Sequence, residues 1–286
     1  MMMKLAVNYS AILVELLNDH PALPVDYIKV PTIPFPGCFT RQFDPGARLR
    51  PLLPHPAQPG VLALAAAQPE QRFNPYIVGE LIRRTNPGYL STHLEVRGEY
   101  FPEYQAKMHC CDPLLGGIIK ERLLTGIKLV KSQIKLPLIL ENVPYYPWRR
   151  HYRLASEPEL ISAVCEAGEC GFLLDIAHAR CSACSLKMPV EAYLKALPLT
   201  RLREIHLAGV CELGGVIMDT HTVLTEPDYQ LLQMVLAWAE PEIVTLEYGG
   251  MPEEIMNRHG GTTPIRRNDR RELEIMLMRI GALIGK

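Results

Sequence analysis

The chain has almost no net charge and no long apolar run, and each absence narrows what it can do. Formal net charge is −1 with a pI near 6.8, so no global basic field is available to hold a nucleic-acid backbone. No apolar stretch approaches the ~18 residues that a membrane span needs. The start, MMMKLAVNYS, has neither the apolar core nor the small-residue cleavage site of a signal peptide, and the expected compartment is the cytoplasm. In that reducing setting the eight cysteines are expected to be thiols, and their even number is no argument for disulfides. Cys181-Ser-Ala-Cys184 has no second CxxC to complete a structural zinc site. Glycine is missing where a nucleotide-binding open sheet would need it: VNYSAILVELL, at the first strand candidate, contains no phosphate-binding turn. Repeats, low-complexity tracts and Gly/Ser linkers are also lacking, so residues 1–286 read as one domain.

What the chain does contain is short apolar runs alternating with helical patterns. Runs at 5–8, 27–31, 61–67, 91–96, 136–141, 171–175, 203–207 and 243–247 read as strands. Between them, Ser156-Glu-Pro-Glu159 and Thr225-Glu-Pro-Asp228 look like capping boxes opening helices. The segment 268–284 puts Leu273, Met276, Leu277, Ile280 and Ile284 on one helical stripe. Strand–helix alternation repeated about eight times predicts an α/β fold, a parallel sheet closed into a single (β/α)8 TIM barrel.

Carboxylates and histidines close several of these runs: Glu141 in LPLILEN, Asp175 and His178 in GFLLDIAH, His206 in LREIHLAG, Asp219 and His221 in IMDTH, and Glu247 in IVTLEYGG. At the C-terminal ends of barrel strands, and in the loops that follow, where His178, the Cys181/Cys184 pair, Asp219 and His221 are expected, such residues face one cavity. Carboxylates gathered out of water need a cation. Asp, Glu and His together suit iron, manganese or zinc.

ENVPYYPW, CGFLLDIAHAR, REIHLAGV, MDTH and TLEYGG resemble segments of the multinuclear non-heme iron-dependent oxidative enzymes, typified by the methanobactin-biosynthesis oxidase, within the xylose-isomerase-like barrels. The likeness runs from Pro137 to Gly250; upstream only STHLEV around His93 matches. The resemblance implies a central metal on Glu141, Asp175, His206 and Glu247, and a second on His178, Asp219 and His221, with Asp219 and His221 catalytic. It also implies a third position at His93, toward which Glu141 bridges. The family's remaining histidine comes from the third strand, here read as VLALAAAQ, which has none; His55, in the proline-rich LLPHPAQPG, is not recruited. Two irons are therefore expected, with a third left open.

The resemblance further implies an oxidase acting on a peptide or thiol-containing substrate, delivered by a separate partner protein. Arg149, Arg150 and Asn142 are the expected substrate contacts, on or beside the aromatic and basic loop after Glu141. Gly249-Gly250 and Gly260-Gly261 bracket a candidate flap. Two alternatives stay open: a zinc or manganese sugar isomerase or phosphoester hydrolase on the same ligands, and a non-catalytic metal-binding protein.

Overall fold

The computed structural model describes residues 2–31, 43–56, 62–249 and 269–286. Its strands are β1 (Lys4–Asn8), β2 (Tyr27–Pro31), β3 (Leu52–His55), β4 (Leu90–His93), β5 (Leu138–Glu141), β6 (Gly171–Asp175), β7 (Leu202–Leu213), β8 (Val216–Thr222) and β9 (Ile243–Glu247). Eight of them run parallel in the order β3-β2-β1-β9-β7-β6-β5-β4, with β8 pairing antiparallel to β7. The helices are α1 (Ala11–Asp19), α2 (Pro75–Thr85), α3 (Pro113–Gln133), α4 (Pro158–Ala167), α5 (Ile176–Leu186), α6 (Val190–Ala196), α7 (Glu226–Leu236) and α8 (Arg270–Leu283). This is an α/β TIM barrel, nearly closed: β3 and β4 are neighbours in the round but end the hydrogen-bonded order.

Parallel strands are buried on both faces, which is why they read as short Val/Ile/Leu runs rather than alternations. Their outward side chains join the helices in the main core, and the stripe Leu273, Met276, Leu277, Ile280 and Ile284 of the last helix packs there. Inside the barrel, Ala6, Leu53, Tyr89, Ile139, Leu173 and Ile243 form a small apolar floor. Above that floor the lumen turns polar, with Lys29, Ser91, Glu141, Glu204, His206 and Thr245 all buried.

Four local expectations are corrected. The third barrel strand is β3, not 61–67, where the described residues make an isolated bridge between Leu62 and Phe73 and then turn. Prolines hid it: Pro54 lies within, and Pro56 just after, a four-residue strand that pairs on one side only. Ser156 is not the cap of α4; Glu157 holds that place, and the Ser156 hydroxyl donates to the Val143 carbonyl at 3.3 Å. IMDTH belongs to β8 rather than to a loop. His178 and the Cys181/Cys184 pair lie on α5, not in a loop after β6. Thr225 does open α7, its N–H donating to Asp228 at 2.7 Å. The candidate flap between the two glycine pairs falls outside the described residues.

Candidate metal centre

Every barrel strand from β3 to β7, and β9, contributes a polar residue at or near its C-terminal end. His93 and Glu141 are register partners on β4 and β5, and Asp175 and His206 on β6 and β7. Glu141 stands at the centre. Its Oε2 lies 3.0 Å from His55 Nε2 and 3.5 Å from His93 Nε2; its Oε1 lies 3.4 Å from both His178 Nδ1 and His206 Nδ1. His206 Nδ1 is also 3.3 Å from Glu247 Oε1 and 3.9 Å from Asp175 Oδ2.

Asp175 ends β6 and caps α5, its Oδ1 accepting the His178 N–H at 2.7 Å, so one residue terminates the strand and aims the next ligand candidate. His178 Nδ1 lies 2.9 Å from the Asn142 carbonyl, which can only accept; Nε2 is left facing Asp219 Oδ2 at 3.7 Å. Asp219 and His221 arrive from outside the barrel ring, carried over it by the β7–β8 hairpin. At the hairpin root a Cβ on Gly209 would overlap the Thr222 carbonyl, so only glycine permits that approach. His221 itself adopts a left-handed φ of 48°, a strained setting for a non-glycine residue that brings its Nε2 to 3.2 Å from Asp219 Oδ2 and 3.4 Å from Glu247 Oε2.

Among the described residues, three sets of side chains have ligand atoms close enough to share an ion: His55, His93 and Glu141; Glu141, Asp175 and His178; Asp175, His206 and Glu247. They overlap at Glu141 and Asp175. Glu141 Oε2, Asp175 Oδ2 and His206 Nδ1 are buried without a properly formed hydrogen bond. Such atoms cost free energy unless something else satisfies them. Among the described residues, Lys29 is the one lysine in contact with Glu141, Asp175, Glu204, Asp219 and Glu247. Imidazole protons compensate in the metal-free molecule. Burial and Lys29 oppose protonation of His206, but Glu247 and Glu141 raise it to about 10. Burial would raise Glu141, yet His206, His93 and His55 hold it well below the usual carboxylate range. Burial pushes Asp175 up to about 7 and His55 down to about 4. A divalent ion could take the place of those protons, and the all-oxygen-and-nitrogen donor sets fit iron, manganese or zinc.

All eight residues expected as ligands therefore converge, and His55, set aside in the sequence, joins them. Its segment carries the same signature as the others, a short apolar run closed by a histidine, but the prolines masked it. Lys29 and Glu204 were also overlooked. Lys29 Nζ contacts Glu204 Oε1 at 2.5 Å and His206 Nε2 at 2.6 Å, and Glu204 accepts from Tyr89 at 2.8 Å and Thr245 at 2.6 Å. A charge inside the apolar run YIKVP, and a carboxylate two residues before His206 on the same strand face, were the available signals. Asn142 does not match its expected part as a substrate contact. It is fully buried, its amide donating to the Asp175 carbonyl at 3.0 Å and accepting the Asp175 N–H at 2.9 Å, which tethers β5 to β6. Arg149 and Arg150 are exposed on the following loop, with Arg149 over the Tyr146 ring at 4.7 Å. Cys181 is buried, accepts a hydrogen bond from Tyr146 at 3.2 Å and belongs to none of the three sets.

Comparison with known proteins bears on the family and the fold. A family model described as RiPP precursor modification enzyme MbnB/TglH/ChrH matches residues 14–255. A UPF0276 protein of Pseudomonas aeruginosa is 30% identical over 165 residues, covering 56% of each chain. One from Shewanella amazonensis is 36% identical over 110 residues, 37% of this chain and 38% of the relative. The chain thus spans about half the length of the curated relatives it matches first. Among solved structures, a candidate xylose isomerase from Rhodospirillum rubrum superposes over 99% of both chains with a TM-score of 0.57 at 14% identity, a likeness of fold.

Proposed function

The chain belongs to the MbnB/TglH/ChrH family of RiPP precursor modification enzymes, and from that premise we propose that it is a non-heme iron oxidase acting on a peptide or thiol-containing substrate. One observation carries the metal part of the reading: Glu141 Oε2, Asp175 Oδ2 and His206 Nδ1 are buried in one anionic cluster without a properly formed hydrogen bond. Glu141, Asp175, His206 and Glu247 would hold a central ion. His178 Nε2, Asp219 and His221 would hold a second, at the more open side where the hairpin meets the mouth. His55, His93 and Glu141 would hold a third, which raises the expected complement from two ions to three. Iron bound there would supply one-electron chemistry with dioxygen.

The chain's own groups set the conditions. Glu141 would serve both the central and the third positions, Asn142 fixes the Asp175 backbone, and the Asn142 carbonyl fixes the His178 ring. Asp219 and His221, with side chains 14% and 20% exposed, are less buried than Glu141, Asp175 and His206, and together with His93, 28% exposed, would meet a substrate. Exposed Arg149 and Arg150 would bind its carboxylates. Delivery of the peptide by a separate protein is part of the same proposal.

The test begins with protein purified without oxygen, loaded with ferrous iron and counted for metal. Dioxygen uptake is expected only in the presence of a cysteine-containing peptide, and Asp175→Ala or His206→Ala should abolish uptake and lose metal. Turnover by zinc- or manganese-loaded protein under strict anaerobiosis would overturn the oxidase in favour of a hydrolase or isomerase.

A further inference from the structure

Among the described residues the barrel has one seam that its backbone does not close. Ile28 N–H donates to Pro51 O, so residues 51, 53 and 55 face β2, and 52, 54 and 56 face the β4 side. Two of those three are prolines and have no N–H to give. On β4, Leu90 and Leu94 donate to carbonyls of the β5 segment, which turns the Ser91 and His93 amides toward β3. Among the described residues the two strands share no backbone hydrogen bond. Side chains stitch the seam instead. Ser91 Oγ lies 2.8 Å from His55 Nδ1 and 3.4 Å from Pro54 O, and Thr92 Oγ1 donates to Pro56 O at 3.2 Å.

The residues that face one another across this seam are His55 and His93. Their rings meet edge-on at 5.2 Å between centroids, and both point at Glu141 on β5, the strand behind β4. We propose that a cation held by His55, His93 and Glu141 is the clasp of the barrel, tying β3 to β4 and β5 where prolines deny a backbone ladder, with Ser91 aiming His55 at it. The inference rests on the metal-centre reading above and adds a structural duty for one of its positions. Ser91 is a positioning residue. It is fully buried, it occupies the His55 nitrogen that faces away from Glu141, and it links the strand of one histidine to the strand of the other.

If opening the seam releases the ion, linkage sets the size of the effect. At a free metal concentration a hundred times the Kd, opening is suppressed about hundredfold. Hydrogen exchange on the full chain, metal-free and with anaerobic ferrous or manganous ion alone, reads this directly at the Ser91 and His93 amides. Expected is a slowing there of about that factor, lost in His55→Gln, while slowing at the Asp175–His206 strands persists. Ser91→Ala should exchange about fivefold faster at the seam without metal, the worth of one hydrogen bond, and metal should restore the slow rate. Wild-type protein that binds metal yet shows an unchanged seam overturns the clasp alone, as does slowing that survives in His55→Gln. Wild-type protein that binds no divalent ion overturns the metal-centre reading and the clasp with it.

Discussion

Replacing Lys29 by Met tests the polar layer beneath the site. The lysine side chain is 3% exposed and its partner Glu204 is 0% exposed, so the change strips a buried carboxylate of its cation. Breaking a buried pair from one side costs about 3–5 kcal/mol, because the remaining charge stays out of water. The structure argues for the lower end. Glu204 keeps donors in Tyr89 at 2.8 Å and Thr245 at 2.6 Å, and His206 Nε2 is 3.2 Å away, ready to donate once the lysine is gone. A loss of about 3 kcal/mol corresponds to roughly 6 °C in Tm at the ~2 °C per kcal/mol expected of large domains. Lys29→Met with Glu204→Gln should recover most of it, since neither charge is then buried alone. The assay is urea unfolding of metal-free protein, in which ligand stabilisation cannot mask the term. A single variant within about 1 kcal/mol of wild type, or a double variant as damaged as the sum of its singles, would refute the reasoning.

Two further outcomes follow from the site. In metal-free protein His206 holds its proton up to about pH 10 against an ordinary value of 6.5. That stability is fully present below pH 6.5 and lost as pH rises through 10, so Tm should fall between pH 7 and 10 and metal affinity should rise over the same window. A metal-free Tm that climbs across that window would contradict the assignment. Asn142→Ala leaves the Asp175 N–H and carbonyl unpaired in the core and should cost about 2–3 kcal/mol. It should also weaken metal binding some 10–100-fold, measured by chelator competition; unaltered affinity would return Asn142 to a purely structural part.

Where sequence reading went wrong, it went wrong at residues whose roles depend on distant partners. Asn142 follows Glu141 directly, and nothing local distinguishes a substrate contact from a tether to Asp175, 33 residues on. Ser156 carries a capping signature, but the Val143 carbonyl competes for its hydroxyl and wins. Seven of the eight barrel strands were legible because apolar runs report burial of a parallel sheet; prolines hid the third, and β8, which pairs only with β7, was not read as a strand.

The sequence by itself determined that the chain forms a barrel of parallel strands and that Glu141, Asp175, His206 and Glu247 sit at strand ends, because both facts are written in short-range apolar periodicity. Tertiary structure alone decided which groups meet. Closure of the barrel set His55 against His93 and Glu141, put Lys29 beneath His206, and let the β7–β8 hairpin swing Asp219 and His221 over the mouth. The physical reason is that a buried charge has no meaning within its own strand. Its cost is relieved only by partners from elsewhere in the chain, and the stagger of strands around the barrel chooses those partners.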